Sequence, residues 1–135
     1  MTNASFSLQK YIFDKVNIDL EHLQAGSQLA LNIDPSGIYY PETGVFNLTF
    51  TFEAFQETHR IVSVRCVADY KFQKPIPFDE FPRMFYANSI AILFPYVRAF
   101  VNTVTLQANL FPPIIIPTLN LTSLEEKLMA QTKVK

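Results

Sequence analysis

The chain contains few of the residues that build the commonest ligand sites. Its 135 residues include three glycines, two histidines and one cysteine, and tryptophan is absent. Three glycines are too few for the Gly-rich loops that hold nucleotide phosphates. One cysteine cannot form an internal disulfide, which fits a reducing compartment. The net charge of −1 provides no basic face, so we expect no nucleic-acid partner.

Long apolar runs are also absent. No uninterrupted apolar stretch reaches the roughly 18 residues that indicate a membrane-spanning helix, so we expect no membrane insertion. Residues 1–5 show no basic segment followed by an apolar block. We therefore expect no signal peptide and a cytoplasmic location.

Apolar residues are plentiful, at 49%, and they include 13 phenylalanines and six tyrosines. This is enough to build the core of one domain that spans residues 1–135. Four segments alternate apolar and polar residues with the period of two that is typical of β-strands. They are Phe6 to Leu20, Gln28 to Asp34, Val45 to Phe55 and Arg60 to Phe72.

The first segment places its apolar residues mostly at even positions: Phe6, Leu8, Ile12, Val16, Ile18 and Leu20. Asp34-Pro35-Ser36-Gly37 predicts a turn, because proline presets φ and glycine tolerates positive φ. The last four residues, 132–135, are expected to fray. The pattern predicts a four-stranded antiparallel sheet with one apolar face, which needs a cover.

A helical period begins at about Arg83. Its apolar stripe consists of Ile90, Leu93, Phe94, Val97, Val101 and Val104. Pro95 lies inside this pattern, so the helix either kinks or restarts there. The other side carries Ile92, Tyr96, Ala99 and Phe100. A helix that is apolar nearly all round is buried on more than one side, so we expect a second copy of the chain against it.

A connector from Asn109 to Asn120 follows, stiffened by prolines. Its three consecutive isoleucines, at 114–116, stand between Pro113 and Pro117 and cannot all point into one core. The connector either completes the core over the sheet or forms a binding groove, and the residues leave both open. Thr122-Ser123-Leu124-Glu125 predicts a capping box and a last helix to about Gln131, with Leu121, Leu124, Leu128 and Met129 on one side. The fold class is therefore α+β, with a long helix and a short C-terminal helix packed on one side of the sheet.

No set of residues has the spacing of a catalytic or metal site. His22 and His59 lack a second ligand at metal-binding spacing, and Cys66 occupies an apolar-face position, which favours a buried, inert thiol. Ser63 and Ser89 lack a nucleophile motif. The remaining candidates are the acidic pairs Asp79-Glu80 and Glu125-Glu126. We expect no enzyme, no metal and no cofactor.

Several motifs resemble those of SecB, the bacterial protein-export chaperone. Ile92-Leu93-Phe94-Pro95-Tyr96-Val97-Arg98 is similar to the family's I-L-F-P-Y-x-R signature. The spacing that follows also agrees: a helix, then Phe111-Pro112, then an apolar stretch and a terminal helix. Phe6-Ser7-Leu8-Gln9-Lys10 is similar to the family's first strand. The resemblance covers nearly the whole chain, and the L-F-P-Y-x-R segment is its most specific part.

The resemblance implies an ATP-independent holdase of the bacterial cytoplasm, which assembles as a dimer of dimers and binds unfolded or partly folded polypeptide, for protein export through the Sec pathway. It implies an oligomer interface formed by Leu93, Tyr96, Val97, Phe100, Val101 and Val104. It implies a client-binding groove formed by Phe111, Ile114, Ile115, Ile116, Leu119, Leu121, Leu124, Leu128 and Met129. Burial of client side chains there yields about 25 cal/mol per Å² of apolar area.

The chain departs from the family where SecB contacts the translocase motor SecA. The family's first-strand acid pair stands here as Lys15 and Asp19, and its later strand acid stands as Arg65. The family's acidic tail is replaced by Lys133-Val134-Lys135. Reversed charge weakens an electrostatic contact, which counts against SecA as a partner. The alternative is a dedicated chaperone for one partner, such as an antitoxin.

Two other classes of function stay open. The chain is an interaction module if a permanent partner, or a second copy, covers its apolar surface. It is an enzyme with a lipid-like ligand if the apolar layer holds a small molecule, which is the least favoured interpretation.

Overall fold

A computed structural model describes residues 5–24, 28–117 and 119–135 of the chain. A five-stranded sheet, in the order β1-β4-β3-β2-β5, carries two helices. Residues 1–4, on which the expectation about a signal peptide partly depends, lie outside the described residues, as does Thr118 in the connector. The strands are β1 (Phe6–Ile18), β2 (Ala30–Tyr40), β3 (Val45–Gln56), β4 (His59–Phe72) and β5 (Thr132–Val134), and the helices are α1 (Arg83–Gln107) and α2 (Leu121–Ala130).

The predicted fold class is confirmed. Four strands pair antiparallel, and β3 and β4 form the expected hairpin. The even-numbered residues of both strands face the helices and are fully buried from Phe46 to Ala54 and from Val62 to Phe72. Phe85 of α1 packs edge-on against Phe46, with ring centroids 4.8 Å apart. The core therefore lies between this face of the sheet and α1.

β5 was not predicted, and the expectation that residues 132–135 fray is wrong. Thr132 to Val134 pair parallel with β2, where Gly37 lies opposite Thr132. The Lys135 N–H donates to the Tyr39 carbonyl at 2.9 Å. Three residues are too few for a period of two to be recognised, and their polar composition gave no other strand signal.

β1 departs from simple alternation at two bulges, between Leu8 and Lys10 and between Phe13 and Lys15. Each bulge adds one unpaired residue and so reverses which positions face the helices. Between the bulges, Phe13 faces the core and its ring stacks on α1, while Ile12 turns to the outer face and is 62% exposed. The prediction that Ile12 shares a face with the other apolar residues is wrong.

The predicted turn at residues 34–37 is also wrong, because β2 continues through it as far as Tyr40. Pro35 pairs with β3 at a position whose backbone points away from that strand, so its missing N–H costs no bond in the ladder. Gly37 is required for space, since an added Cβ would lie 2.2 Å from the Phe46 ring. The chain turns later, at Gly44, whose φ is 74°.

α1 runs without a break through Pro95, so the helix does not restart there. Pro95 lies on the exposed side, where the carbonyl that loses its helical partner meets solvent. The buried side consists of Phe85, Tyr86, Ser89, Ile90, Leu93, Phe94, Val97, Val101 and Thr105.

α1 is also, among the described residues, a helix long and apolar enough to cross a membrane by length and composition alone. The sequence-based expectation of no such helix therefore does not hold by that criterion. A core helix meets the same criterion, and α1 contributes nine buried residues to the core over the sheet.

Candidate functional site

The connector turns back along the end of α1. Asn109, at φ 65°, ends the helix in the left-handed conformation that asparagine tolerates. The buried Thr105 hydroxyl then accepts the Ile114 N–H at 3.0 Å and donates to the Val101 carbonyl at 2.9 Å. Asn102 Nδ2 donates to the Ile114 carbonyl at 3.5 Å. Two side chains of α1 therefore hold the backbone of the connector at Ile114.

The three consecutive isoleucines alternate between core and solvent. Ile114 and Ile116 are 6% and 3% exposed, whereas Ile115 between them is 68% exposed. This is the pattern of an extended segment, in which successive side chains point to opposite sides. Phe111, four residues before Ile115, is 89% exposed. The connector thus presents two large apolar side chains to solvent.

A cavity of about 610 Å³ lies between the connector and the segment that enters β2. This volume is within the range of about 300 to 1,000 Å³ that is usual for ligand sites. None of the described residues that line it is charged. They are Leu23, Gln24, Gln28, Leu29, Leu31, Leu110, Phe111, Pro112, Pro113, Ile114, Ile115, Ile116 and Pro117.

The wall opposite the connector is fixed by the buried side chain of Gln56. Its Oε1 accepts the Gln24 N–H at 2.7 Å, and its Nε2 donates to the Gln24 carbonyl at 2.9 Å. This pair of bonds ties the segment before β2 to the end of β3. Leu23, next to Gln24, is held facing the cavity.

α2 packs across β2 and begins one residue before the predicted capping box. Its N-cap is Asn120, whose Oδ1 accepts the Thr122 N–H at 3.0 Å, so the prediction that the box at 122–125 caps the helix is corrected. Asparagine at this position offers the same acceptor as a hydroxyl. Leu124 and Leu128 face the sheet and are buried.

The structure places the residues of the predicted groove in three sets. Phe111, Ile114, Ile115 and Ile116 line the cavity. Leu128 has no accessible surface and Leu124 is almost fully buried, so the structure gives these two a place in the core. Leu119 and Leu121 are partly buried and Met129 is half-exposed, and none of the three lines the cavity. Client contact at the nine residues stays a prediction.

Sequence reasoning missed the wall formed by Leu23, Leu29 and Leu31. Leu29 and Leu31 belong to the predicted strand from Gln28 to Asp34, but nothing in the sequence places the connector opposite them. The two segments come together only in the fold, where both line the cavity.

Three of the six residues predicted to form the oligomer interface are buried within a single chain. Leu93, Val97 and Val101 have no accessible surface in a single chain, so they offer nothing to a second copy. Tyr96 is partly exposed, and its ring lies 4.6 Å from that of Tyr11 on β1. Phe100 and Val104 are partly buried.

The His22 and His59 rings, far apart in sequence, stack with centroids 4.8 Å apart at the surface. Burial raises the pKa of the Cys66 thiol from 9.0 to about 11, which keeps it protonated and unreactive. Among the described residues, no group of three histidine, cysteine or acidic side chains has the geometry to hold a metal ion.

The outer face of the sheet carries paired charges. Arg65 forms two bonds with Asp14, from Nε to Oδ1 at 2.9 Å and from Nη2 to Oδ2 at 2.6 Å. The bond to the guanidinium holds the pKa of the Asp14 carboxyl below its ordinary value. The other pairs on this face are Lys10 with Asp69 and Arg60 with Glu53.

Two solved structures share the architecture of this chain. The SecB-like chaperone Rv1957 of Mycobacterium tuberculosis, in complex with a ChAD peptide from the HigA1 antitoxin, matches with a TM-score of 0.67 at 15% identity, over 85% of this chain and 90% of that chain. A protein of unknown function from Streptococcus agalactiae matches with a TM-score of 0.53 at 12% identity, over 87% of this chain and 100% of that chain. The chain therefore has the SecB-like fold, as the sequence resemblance predicted.

Sequence comparison adds little to this. No family model matches the chain. An uncharacterized protein of Methanocaldococcus jannaschii is 61% identical over 33 residues, which are 24% of this chain and 21% of that protein. The match spans about a fifth of the relative's length, so it identifies a shared segment and no activity.

Proposed function

We propose that this chain, on the premise of its SecB-like fold, is an ATP-independent chaperone that holds extended, non-native polypeptide in the connector cavity. We propose further that it serves one dedicated partner, such as an antitoxin, and does not deliver clients to SecA. A solved structure with the same fold is a complex with an antitoxin peptide, which supports a polypeptide as the ligand.

The observation that carries the proposal is the exposure of Phe111 and Ile115 beside an uncharged cavity. Exposed apolar side chains that adjoin a concave apolar surface mark partner sites. Covering each of the two fully would contribute about 1.5 to 3 kcal/mol. A micromolar complex requires about 8 kcal/mol, so these two anchors alone hold a client weakly and reversibly.

The outer face of the sheet supports a dedicated role. Acids that would attract a basic partner there are already paired with Arg65, Lys10 and Arg60. A carboxylate that is already paired with a basic side chain attracts a basic docking protein less strongly than a free carboxylate does. We expect purified SecA to show no binding in biolayer interferometry, and submicromolar binding would overturn this part of the proposal.

Self-association is also part of the proposal. Ile92 and Tyr96 lie partly exposed on α1, and the Tyr96 ring lies beside that of Tyr11 on the edge strand β1. Apolar surface in this arrangement is covered when a second copy packs against it. Sedimentation velocity should show an oligomer, with a dimer of dimers expected from the resemblance, and a monomer at micromolar concentration would refute it.

The direct test is suppression of aggregation. A chemically denatured reporter protein is diluted into buffer with and without the purified chain, and light scattering is recorded. The wild-type chain should suppress scattering, and Ile115→Asp should lose most of this effect, because the charge stands where client side chains bind. The change should alter the free energy of unfolding by about 0.5 kcal/mol or less, since Ile115 is exposed.

Ile12→Asp is the matched control. It makes the same substitution at a similarly exposed isoleucine, 62% against 68%, on the outer face at the far edge of the sheet. It should keep full suppression. Equal loss in both variants, or loss in neither, would reject the cavity as the client site. Purification of one stoichiometric protein with the chain, without any effect on the reporter, would favour a permanent interaction module.

A further inference from the structure

Backbone N–H and carbonyl groups point outward from β2 at every second residue. Backbone groups of odd-numbered residues point away from β3: the Ile33 carbonyl accepts Lys127 Nζ at 3.0 Å, the Gly37 N–H donates to the Gln131 carbonyl at 3.2 Å, and the Tyr39 carbonyl accepts the Lys135 N–H at 2.9 Å. The register between β2 and β3 is continuous from residue 30 to residue 40. Leu31 therefore also points its N–H and carbonyl outward.

This edge is occupied along most of its length. β5 covers residues 37–39. Gln131 Nε2 donates to the Pro35 carbonyl at 2.5 Å, and Lys127 reaches the Ile33 carbonyl. The outward groups that remain are the Leu31 N–H and carbonyl and the Ile33 N–H, for which the described part of the chain supplies no partner.

The open end of the edge coincides with the cavity, because Leu31 belongs to both. Its side chain lines the cavity, and its backbone forms the edge. A strand added beside β2 would lie about 4.8 Å from it. Its alternate side chains would then point to the cavity side.

We propose that a client adds to the sheet as an extended strand at Leu31 and Ile33, in line with β5, and places alternate apolar side chains in the cavity. This rests on the proposed function and specifies how the polypeptide is held. The occupant is an uncharged apolar segment of another protein, since the described lining of the cavity carries no charge. Backbone bonds would also supply affinity that Phe111 and Ile115 alone do not, with little dependence on client sequence.

The first test compares Leu31→Pro with Leu31→Ala. Both lose the leucine side chain, and only proline also loses the outward N–H and blocks an incoming strand. Proline should leave the pairing with β3 intact, because Pro35 is already accommodated at an equivalent position. The probe is a short fluorescein-labelled peptide in which Leu and Phe alternate with Ser, and fluorescence anisotropy measures its affinity. Leu31→Pro should bind about tenfold more weakly than Leu31→Ala, which corresponds to about 1.4 kcal/mol.

The second test leaves the protein unchanged. N-methylation of alternate residues of the same peptide removes donors on one edge, and methylation of the intervening residues removes those on the other. One methylated set should weaken binding about tenfold or more and the other should bind nearly as the parent does. Equal affinities for the two sets would overturn the proposal, even if Leu31→Pro fails to fold.

The outcomes separate this inference from the proposed function. Equal affinities of Leu31→Pro and Leu31→Ala, with tight binding by the wild-type chain, would overturn strand addition and leave side-chain docking. Absence of peptide binding by the wild-type chain would reject the proposed function itself. A change of oligomeric state in Leu31→Pro, without a change in peptide affinity, would show that a second copy covers this edge and would also overturn the inference.

Discussion

Replacing Thr105 by valine tests whether one buried hydroxyl holds the connector against α1. Valine has nearly the same shape and a similar helix propensity, so the change removes the hydroxyl without opening a cavity. The Thr105 hydroxyl accepts the Ile114 N–H at 3.0 Å. After substitution, that N–H would remain buried without a partner, because Ile114 is almost fully covered.

An unsatisfied buried donor costs about 1 to 3 kcal/mol. For a chain of 135 residues, each kcal/mol lowers the Tm by about 3 to 4 °C. We therefore expect the Tm of Thr105→Val to fall by about 3 to 12 °C. Differential scanning calorimetry measures this, and urea denaturation gives the free energy directly.

Thr103→Val provides the control, since Thr103 is exposed on the same helix two residues earlier. It should change the free energy of unfolding by about 0.5 kcal/mol or less. The amide of Ile114 should also exchange with deuterium faster in Thr105→Val alone. If the two variants have the same stability and the same exchange at Ile114, the hydroxyl does not hold the connector.

Two further predictions concern the core. Gly37→Ala should lower the free energy of unfolding by about 1 to 3 kcal/mol, because the new methyl group meets the Phe46 ring at 2.2 Å. The control Ser36→Ala should have little effect. Equal effects of the two substitutions in chemical denaturation would contradict the close packing at Gly37. The pKa of the Cys66 thiol is raised from 9.0 to about 11 in the folded chain, so between these pH values the folded thiol stays protonated while the unfolded thiol ionises. The contribution of Cys66 to stability should therefore fall as pH rises from 9 to 11. Cys66→Ala should lack this component of the pH dependence in urea titrations, and an identical pH dependence in both proteins would refute it.

The sheet and its helices were predictable because most of their residues obey a local period. β3 alternates along its whole length and β4 alternates from Val62 onward, and so the buried face was recognised from sequence alone. The prediction for β1 failed at Ile12, because two bulges shift the alternation and place Phe13 on the core face instead. Pro35 was mistaken for a turn residue because sequence does not reveal which backbone groups face an open edge.

The candidate site was half predictable for a similar reason. The connector was recognised from its isoleucines and prolines, because these residues are close together in the chain. Leu23 and Leu31 reach the same cavity from a distant segment, and no local pattern links them to the connector. The sequence marks Leu128 as an apolar-face residue of a helix, but it does not show that the core covers this side chain.

Because Ile114, Ile115 and Ile116 alternate between core and solvent, substitutions at the three positions should affect the stability of the fold differently. Changes at the outer two alter the volume of a packed interior, which tolerates little. The middle one faces solvent, so it can vary in size and polarity at small cost to folding. Under the proposed function, a substitution at Ile115 alone would change which polypeptides bind, while the scaffold stays unchanged.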